Sequence, residues 1–138
     1  MSVKRFGVSI DQGLVTKFDR LINKKGYVNR SEALRDLIRD SLVDEEWQNA
    51  ETAAVGVVTV VYDHAQKDLS HRLVHLQHHY ENVIVSTLHV HLDGHNCLEA
   101  VVLKGKSGEI QKVADLLISA KGVKHGKLVA TTTGTALA

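Results

Sequence analysis

The apolar positions of this chain change their period several times, and each change marks a new element. In VKRFGVSI (residues 3–10) they alternate, with Phe6, Val8 and Ile10 on one side and Arg5, Gly7 and Ser9 on the other. That pattern predicts a short strand with one buried face. Leu14, Phe18, Leu21 and Ile22 then recur at helical spacing behind Asp11, a natural N-cap, and stop near Lys25-Gly26. Asn29-Arg30-Ser31-Glu32 reads as a capping box. The helix it opens should bury Leu34, Leu37, Ile38 and Leu42 and fade through Asp44-Glu45-Glu46, so residues 44–53 are expected to be a linker.

Beyond the linker the elements alternate. Residues 54–62 are a β-branched run, expected to be a strand buried on both faces. Leu69, Leu73, Leu76 and Tyr80 mark a helix over 66–80. Strands at 83–92 and 97–103 flank the turn Asp93-Gly94-His95-Asn96. A helix over 108–121 with Ser107 as its cap and a strand over 123–131 complete the order, and the tail TTTGTALA should fray. The expected class is α+β: a strand-helix-helix head (residues 1–45), then a βαββαβ, ferredoxin-like body (54–132).

The head cannot stand alone. About 45 residues do not make a self-sufficient core, and a single strand leaves its backbone donors and acceptors unpaired. Pairing with the same strand of a second chain repairs both defects. The expectation is an obligate dimer with an antiparallel ribbon on four helices, displaying Arg5, Gly7 and Ser9 outward from each chain.

Composition sharpens this division. The 138 residues hold 17 Lys+Arg against 16 Asp+Glu, but residues 1–30 carry seven basic residues against only Asp11 and Asp19. A near-neutral total therefore hides a basic head, for which nucleic acid is the usual partner. Aromatics make up 4% of the chain, too few for base stacking to dominate. The single cysteine excludes an internal disulfide framework. With no charged-then-apolar leader and no apolar run near the roughly 20 residues of a membrane span, the expected setting is the cytoplasm, without membrane contact.

All nine histidines follow residue 63, and their placement carries the chemistry. His89 and His91 are two apart on a strand, so both imidazoles leave one face. The hairpin turn brings Cys97 beside them, and two imidazoles with a thiolate chelate a borderline-soft metal. A polar sheet face with a buried thiol is the plainer reading of such a pattern. His71, His75, His78 and His79 share a helix, and periodicity does not choose a fourth ligand among them; nor does ligand type choose between zinc, nickel and copper. In the head, Arg5 and Ser9 on a ribbon are suited to base edges in a major groove. Glu32 and Asp36, four apart, make a weak candidate pair for a cation. No nucleophile–base pair, phosphate-cradling loop or served carboxylate dyad is present, and GKSG at 105–108 lacks the P-loop spacing. An enzyme is not expected.

RSEALRD (30–36) after a basic strand, QHH (77–79), TLHVH (87–91), Cys97-Leu98-Glu99 and VLKG (102–105) together resemble the nickel-responsive transcriptional regulator family. The resemblance covers residues 3–130. It implies a ribbon-helix-helix DNA-binding domain joined to an ACT-like regulatory domain, assembled as a homotetramer. It also implies one Ni(II) per subunit, held in a square plane by His89, His91 and Cys97 with His78 of the facing subunit; Glu99 is expected to support one of these ligands from behind. Nickel loading would make the protein bind operator DNA and silence nickel uptake genes. Family members often carry threonine where this chain has Gly7, which changes the base contact implied there. A metal chaperone or storage protein, and a ribbon-helix-helix regulator sensing a small molecule, are the alternatives from other classes.

Overall fold

The computed structural model describes residues 2–138, in two compact units that divide between Ser41 and Leu42. Helix α1 spans Gln12–Lys24 and α2 spans Arg30–Gln48. Asp11 caps α1, its carboxylate accepting the Leu14 N–H at 3.2 Å. The helix closes at Gly26, whose φ of +87° admits the left-handed turn in which the Tyr27 N–H reaches Ile22 O at 3.0 Å. Asn29 Oδ1 accepts the Glu32 N–H at 2.9 Å, the forward half of the capping box. The α1–α2 corner is fastened by Arg30, which donates twice to Asp19 at 2.8 and 2.7 Å, and by Tyr27 Oη, which donates to Asp36 at 2.6 Å.

That last bond holds the Asp36 carboxyl below its usual range, with a further contribution from Arg39. A depressed carboxyl favours the fold above its ordinary value and loses that contribution as pH falls through the depressed one. In Tyr27→Phe the Asp36 titration, followed by carbon NMR, should therefore move up toward the ordinary carboxylate value while the Arg39 pair keeps it partly lowered. An unmoved midpoint would assign the whole effect to Arg39.

The strand expected at residues 3–10 forms no ladder among the described residues, where no second strand of this chain pairs with it. Its apolar side is open: Phe6, Val8 and Ile10 are 66%, 59% and 51% exposed. The helix residues expected to be buried, Leu34, Leu37, Ile38 and Leu42, are likewise exposed, and Ile22 and Ala33 are the buried residues of α1 and α2. An apolar groove of about 400 Å³ between Ile10, Leu14, Phe18, Leu21, Leu34 and Leu37 remains uncovered.

The C-terminal unit contains β1 (Ala53–Asp63), α3 (Lys67–His79), β2 (Ile84–His91), β3 (Asn96–Lys106), α4 (Ser107–Ile118) and β4 (Val123–Thr131). The strands form one antiparallel sheet in the order β2-β3-β1-β4, the split-βαβ arrangement. Val58, Val60 and Tyr62 of β1 join Val101 and Leu103 of β3 in a core closed by Leu69 and Leu73 of α3 and by Ile110, Val113 and Leu117 of α4. Gly126 permits α4 to approach β4 closely: a Cβ there would lie 2.8 Å from Ile118.

Four sequence expectations need correction. Helix α2 does not fade at Asp44 but continues to Gln48, since Glu and Asp side chains do not break a helix and Trp47 packs on the core, donating to Thr131 O at 2.9 Å. The connection is thus 49–52, and it is structural: Ala50 O and Thr52 O accept the Gly108 and Ser107 N–H groups that α4 would otherwise leave unpaired. Ser107 is the first residue of α4 rather than its cap, and its hydroxyl donates to Asn49 O at 2.8 Å. Strand β1 is fully buried on the helix face only; Val55, Val57 and Val61 on the other face are half-buried. The tail turns at Gly134, with Leu137 N–H donating back to Gly134 O at 3.2 Å, and lines a groove with Leu42 and Glu45.

Candidate metal centre

The β2–β3 register places the candidate ligands. His91 lies opposite Cys97 and His89 opposite Glu99, while Tyr62 of β1 lies opposite Cys97 from the other side. All of these share one face of the sheet, with His89 and His91 on its edge strand β2 and Cys97, Glu99 and Tyr62 on the interior strands β3 and β1. Cys97 is a free, fully buried thiol with Sγ 3.5 Å from His91 Nδ1. The His89 and His91 rings are 5.0 Å apart between centroids. The turn between the strands is fixed by Asp93, which accepts from the backbone N–H groups of His95 and Asn96 and from the Asn96 side chain. The Asn96 side-chain bond and those backbone bonds hold the Asp93 carboxyl down to about 2.

Glu99 is the electrostatic hub. It is 7% exposed, accepts from Tyr62 Oη at 3.0 Å and Gln77 Nε2 at 3.1 Å, and approaches His89 Nδ1 at 3.3 Å. Gln77 is itself oriented by the Thr87 hydroxyl at 3.0 Å. This network fixes the His89 ring through one nitrogen and leaves the other for a metal, the way ligand imidazoles are oriented. Burial raises the Tyr62 hydroxyl, and the Glu99 charge raises it further. Burial also pushes the Cys97 thiol up, with Glu99, Asp63 and Asp93 acting in the same direction.

The donor atoms that converge most tightly are those of His64, His91 and Cys97, all within 4.8 Å of one another. The sequence did not single out His64. It follows β1 directly, and since β1 pairs antiparallel with β3, the end of β1 meets the β2–β3 turn, where the His64 N–H donates to His95 O at 2.9 Å. The split-βαβ order was the signal that could have found it. His78 is exposed in the last turn of α3 and is not among these converging donors.

In the N-terminal unit Arg5, Gly7 and Ser9 are all exposed. Arg5 shares a groove of about 530 Å³ with Lys4, Ser31 and Arg35. A Cβ built at Gly7 meets nothing within 4 Å. Among the described residues the Glu32–Asp36 pair gathers no third ligand; Asp36 is occupied by Tyr27 and Arg39.

Residues 55–131 match the NikR C terminal nickel binding domain, and residues 4–45 match the ribbon-helix-helix protein, copG family. The chain belongs to the nickel-responsive regulator family. Relatives named "Putative nickel-responsive regulator" include one from Thermococcus onnurineus, 58% identical over 134 residues and covering 97% of each chain. One from Geobacter metallireducens is 61% identical over 130 residues, covering 94% of each. One from Pyrococcus furiosus is 57% identical over 134 residues, covering 97% of each. These relatives are named as regulators rather than enzymes. An uncharacterized protein from Thermotoga maritima superimposes with a TM-score of 0.50 at 19% identity, over 56% of this chain and 96% of its own, a likeness of fold alone. No described helix is long and apolar enough to cross a membrane. For a member of the nickel-responsive regulator family the donor chemistry is suitable: imidazoles and one thiol, gathered at a half-sheltered sheet edge, with a buried carboxylate behind them.

Proposed function

We propose that this chain is a nickel-responsive, DNA-binding transcriptional repressor of the cytoplasm, whose regulated genes serve nickel uptake. The observation that carries this reading is the pairing of His91 with Cys97 beside a His89 braced on buried Glu99, in a chain whose two halves match a nickel binding domain and a ribbon-helix-helix protein. The proposed division is a DNA-binding and dimerisation domain at 1–45 and a metal-binding, tetramerising domain at 54–132.

His89, His91 and Cys97 of one chain, with His78 of another, would hold one Ni(II) per chain, the cysteine as thiolate. Bound there, the ion supplies a link between two chains. Glu99 orients His89, and Gln77 and Tyr62 keep Glu99 in place. His78 in the last turn of α3 lies outside the tightly converging set of one chain, as His89 also does, and its sharing between chains rests on the likeness to the nickel-responsive regulators.

The open apolar face of the N-terminal unit supports dimerisation. Fully burying one Leu, Ile or Phe side chain contributes about 1.5–3 kcal/mol, and Phe6, Val8, Ile10, Leu14 and Leu37 are each more than half exposed. A second copy of the 3–10 strand pairs the backbone and covers these groups together, turning Arg5, Gly7 and Ser9 outward. The half-buried outer face of β1 supports a second contact in the C-terminal unit, giving a dimer of dimers.

A DNA mobility shift tests the reading. Apo protein should leave an operator fragment from a nickel-uptake promoter unshifted, and nickel-loaded protein should shift it. Metal binding without any shift would favour a chaperone or store, and a shift indifferent to metal would favour a regulator with another effector. In the same assay Arg5→Ala should weaken specific binding by about 1–3 kcal/mol, as loss of a bidentate base contact does. Equal loss on random DNA would make Arg5 a phosphate contact only.

A further inference from the structure

The boundary between the two units falls inside α2, so residues 42–48 close a helix that begins in the head and yet belong to the C-terminal unit. What holds them there is spread over two further elements. The Trp47 ring packs on the core, and its Nε1–H donates to Thr131 O, at the end of β4, at 2.9 Å. The residues that follow are bonded to the start of α4. Ser107 Oγ donates to Asn49 O at 2.8 Å, the Gly108 N–H to Ala50 O at 2.9 Å and the Ser107 N–H to Thr52 O at 2.8 Å. The fit is close, since a Cβ at Gly108 would lie 2.9 Å from the Ala50 Cβ. Of the residues in these bonds, Trp47 alone lies in α2.

This anchor lies at the end of the sheet opposite the proposed metal centre. Ala53 pairs with Lys106 and Val55 with Thr131 at one end, while Tyr62 pairs with Cys97 near the other. Strands β1 and β3 keep one register over that length. At about 3.3 Å per residue the two ends are about 30 Å apart. Val58, Val60, Val101 and Leu103 are fully buried along the way, and close-packed interiors transmit strain rather than absorb it.

We propose that Trp47 is a positioning residue: by anchoring the end of α2 to the C-terminal unit, it lets an arrangement of that unit selected by nickel reach the DNA-binding head through the helix. The coupling role rests on the function proposed above; the anchor itself does not. A free linker would pass no orientation to the head, because every arrangement of the head would stay open whatever the body did. Nickel would then bind all of them equally well and shift none. An anchored helix end removes that freedom.

The test uses the full chain, with nickel and the operator fragment as probes. Nickel affinity is measured by chelator competition with and without saturating operator, at one salt concentration, in the wild type and in Trp47→Ala. Without DNA the two proteins should bind nickel equally well. The tightening caused by operator, about 5–150-fold for couplings of this kind, should fall to near unity in the variant. A tightening equal to that of the wild type would overturn the proposal. So would a loss of nickel affinity without DNA, which would make Trp47 a support of the metal centre. If Trp47→Ala unfolds, Trp47→Phe keeps a ring on the core and loses the bond to Thr131; it should lose part of the tightening, and no loss would overturn the proposal. A wild type without any tightening would overturn the proposed function instead. Amide exchange then decides the anchor, because residues 45–48 should open more readily in the variant, and equal exchange in both proteins would overturn it.

Discussion

In Cys97→Ala the ultraviolet band of a nickel–thiolate bond should vanish, the high-affinity nickel equivalent should go with it, and the protein should no longer shift DNA on nickel addition. The effect is expected to exceed the 10–100-fold loss of metal affinity typical when a residue behind a ligand is removed, because here a ligand itself goes. The protein should survive the change. Removing one sulfur from a buried site forfeits about as much as a lost methylene, on the order of 1 kcal/mol, so far-ultraviolet circular dichroism should be preserved. The thiol's surroundings add a dependence on pH. Burial and the carboxylates of Glu99, Asp63 and Asp93 raise it, so the metal-free chain holds this group protonated and nickel must displace the proton. Affinity should therefore climb as pH rises. Competition with a chelator of known affinity, at several pH values, reads both effects. Unchanged stoichiometry and band in Cys97→Ala would remove Cys97 from the ligand set.

The split between what the sequence disclosed and what it concealed follows from the range of the interactions involved. Helices α1 and α3 and the four strands of the sheet were legible because each is written in a local period, and the Asp93 turn because its residues bond to their own neighbours. The hairpin partners His91 and Cys97 were legible for the same reason: a tight turn fixes register, and register brought them opposite each other. The extent of α2 was not legible, since its last turn is held by Trp47 reaching Thr131, a contact spanning most of the unit. The role of Ser107 depended on Asn49, 58 residues earlier. His64 was hidden in the same way. It reaches the centre through the pairing of β1 with β3, which no local spacing encodes. The strand at 3–10 is a different case, for its alternation is plain but its ladder requires a second chain. Where residue chemistry left the metal and the fourth ligand open, the resemblance to the nickel-responsive regulators implies nickel over zinc and His78 over His79.

Operator DNA should tighten nickel binding by the same factor by which nickel tightens operator binding. The reason is thermodynamic: coupling between two equilibrium binding sites is reciprocal, whatever joins them. The proposed metal ligands lie in the C-terminal unit and the proposed DNA-contacting residues in the N-terminal one, so nickel acts on DNA only if it binds one arrangement of the assembly better than another. A centre completed by His78 of another chain meets that condition, because its fourth ligand arrives only when two chains dock in one geometry. Docking also bears on α3, since His78 lies in its last turn and Gln77, its neighbour, is bonded to Glu99 behind the proposed ligands. Assemblies held in one geometry present two ribbons at a fixed separation, and two half-sites are then bound with a gain in effective concentration and no new contact. Couplings of this kind are typically about 5–150-fold, wide enough to resolve with a chelator competing for nickel in the presence and absence of saturating operator at one salt concentration. The same ratio should be found from DNA titrations of apo and nickel-loaded protein. In His78→Gln both ratios should fall toward unity while His89, His91 and Cys97 still hold a weaker ion, which separates docking from mere metal binding. An operator that leaves nickel affinity unchanged in the wild type would uncouple the two sites and leave a metal-binding protein with an independent DNA-binding head.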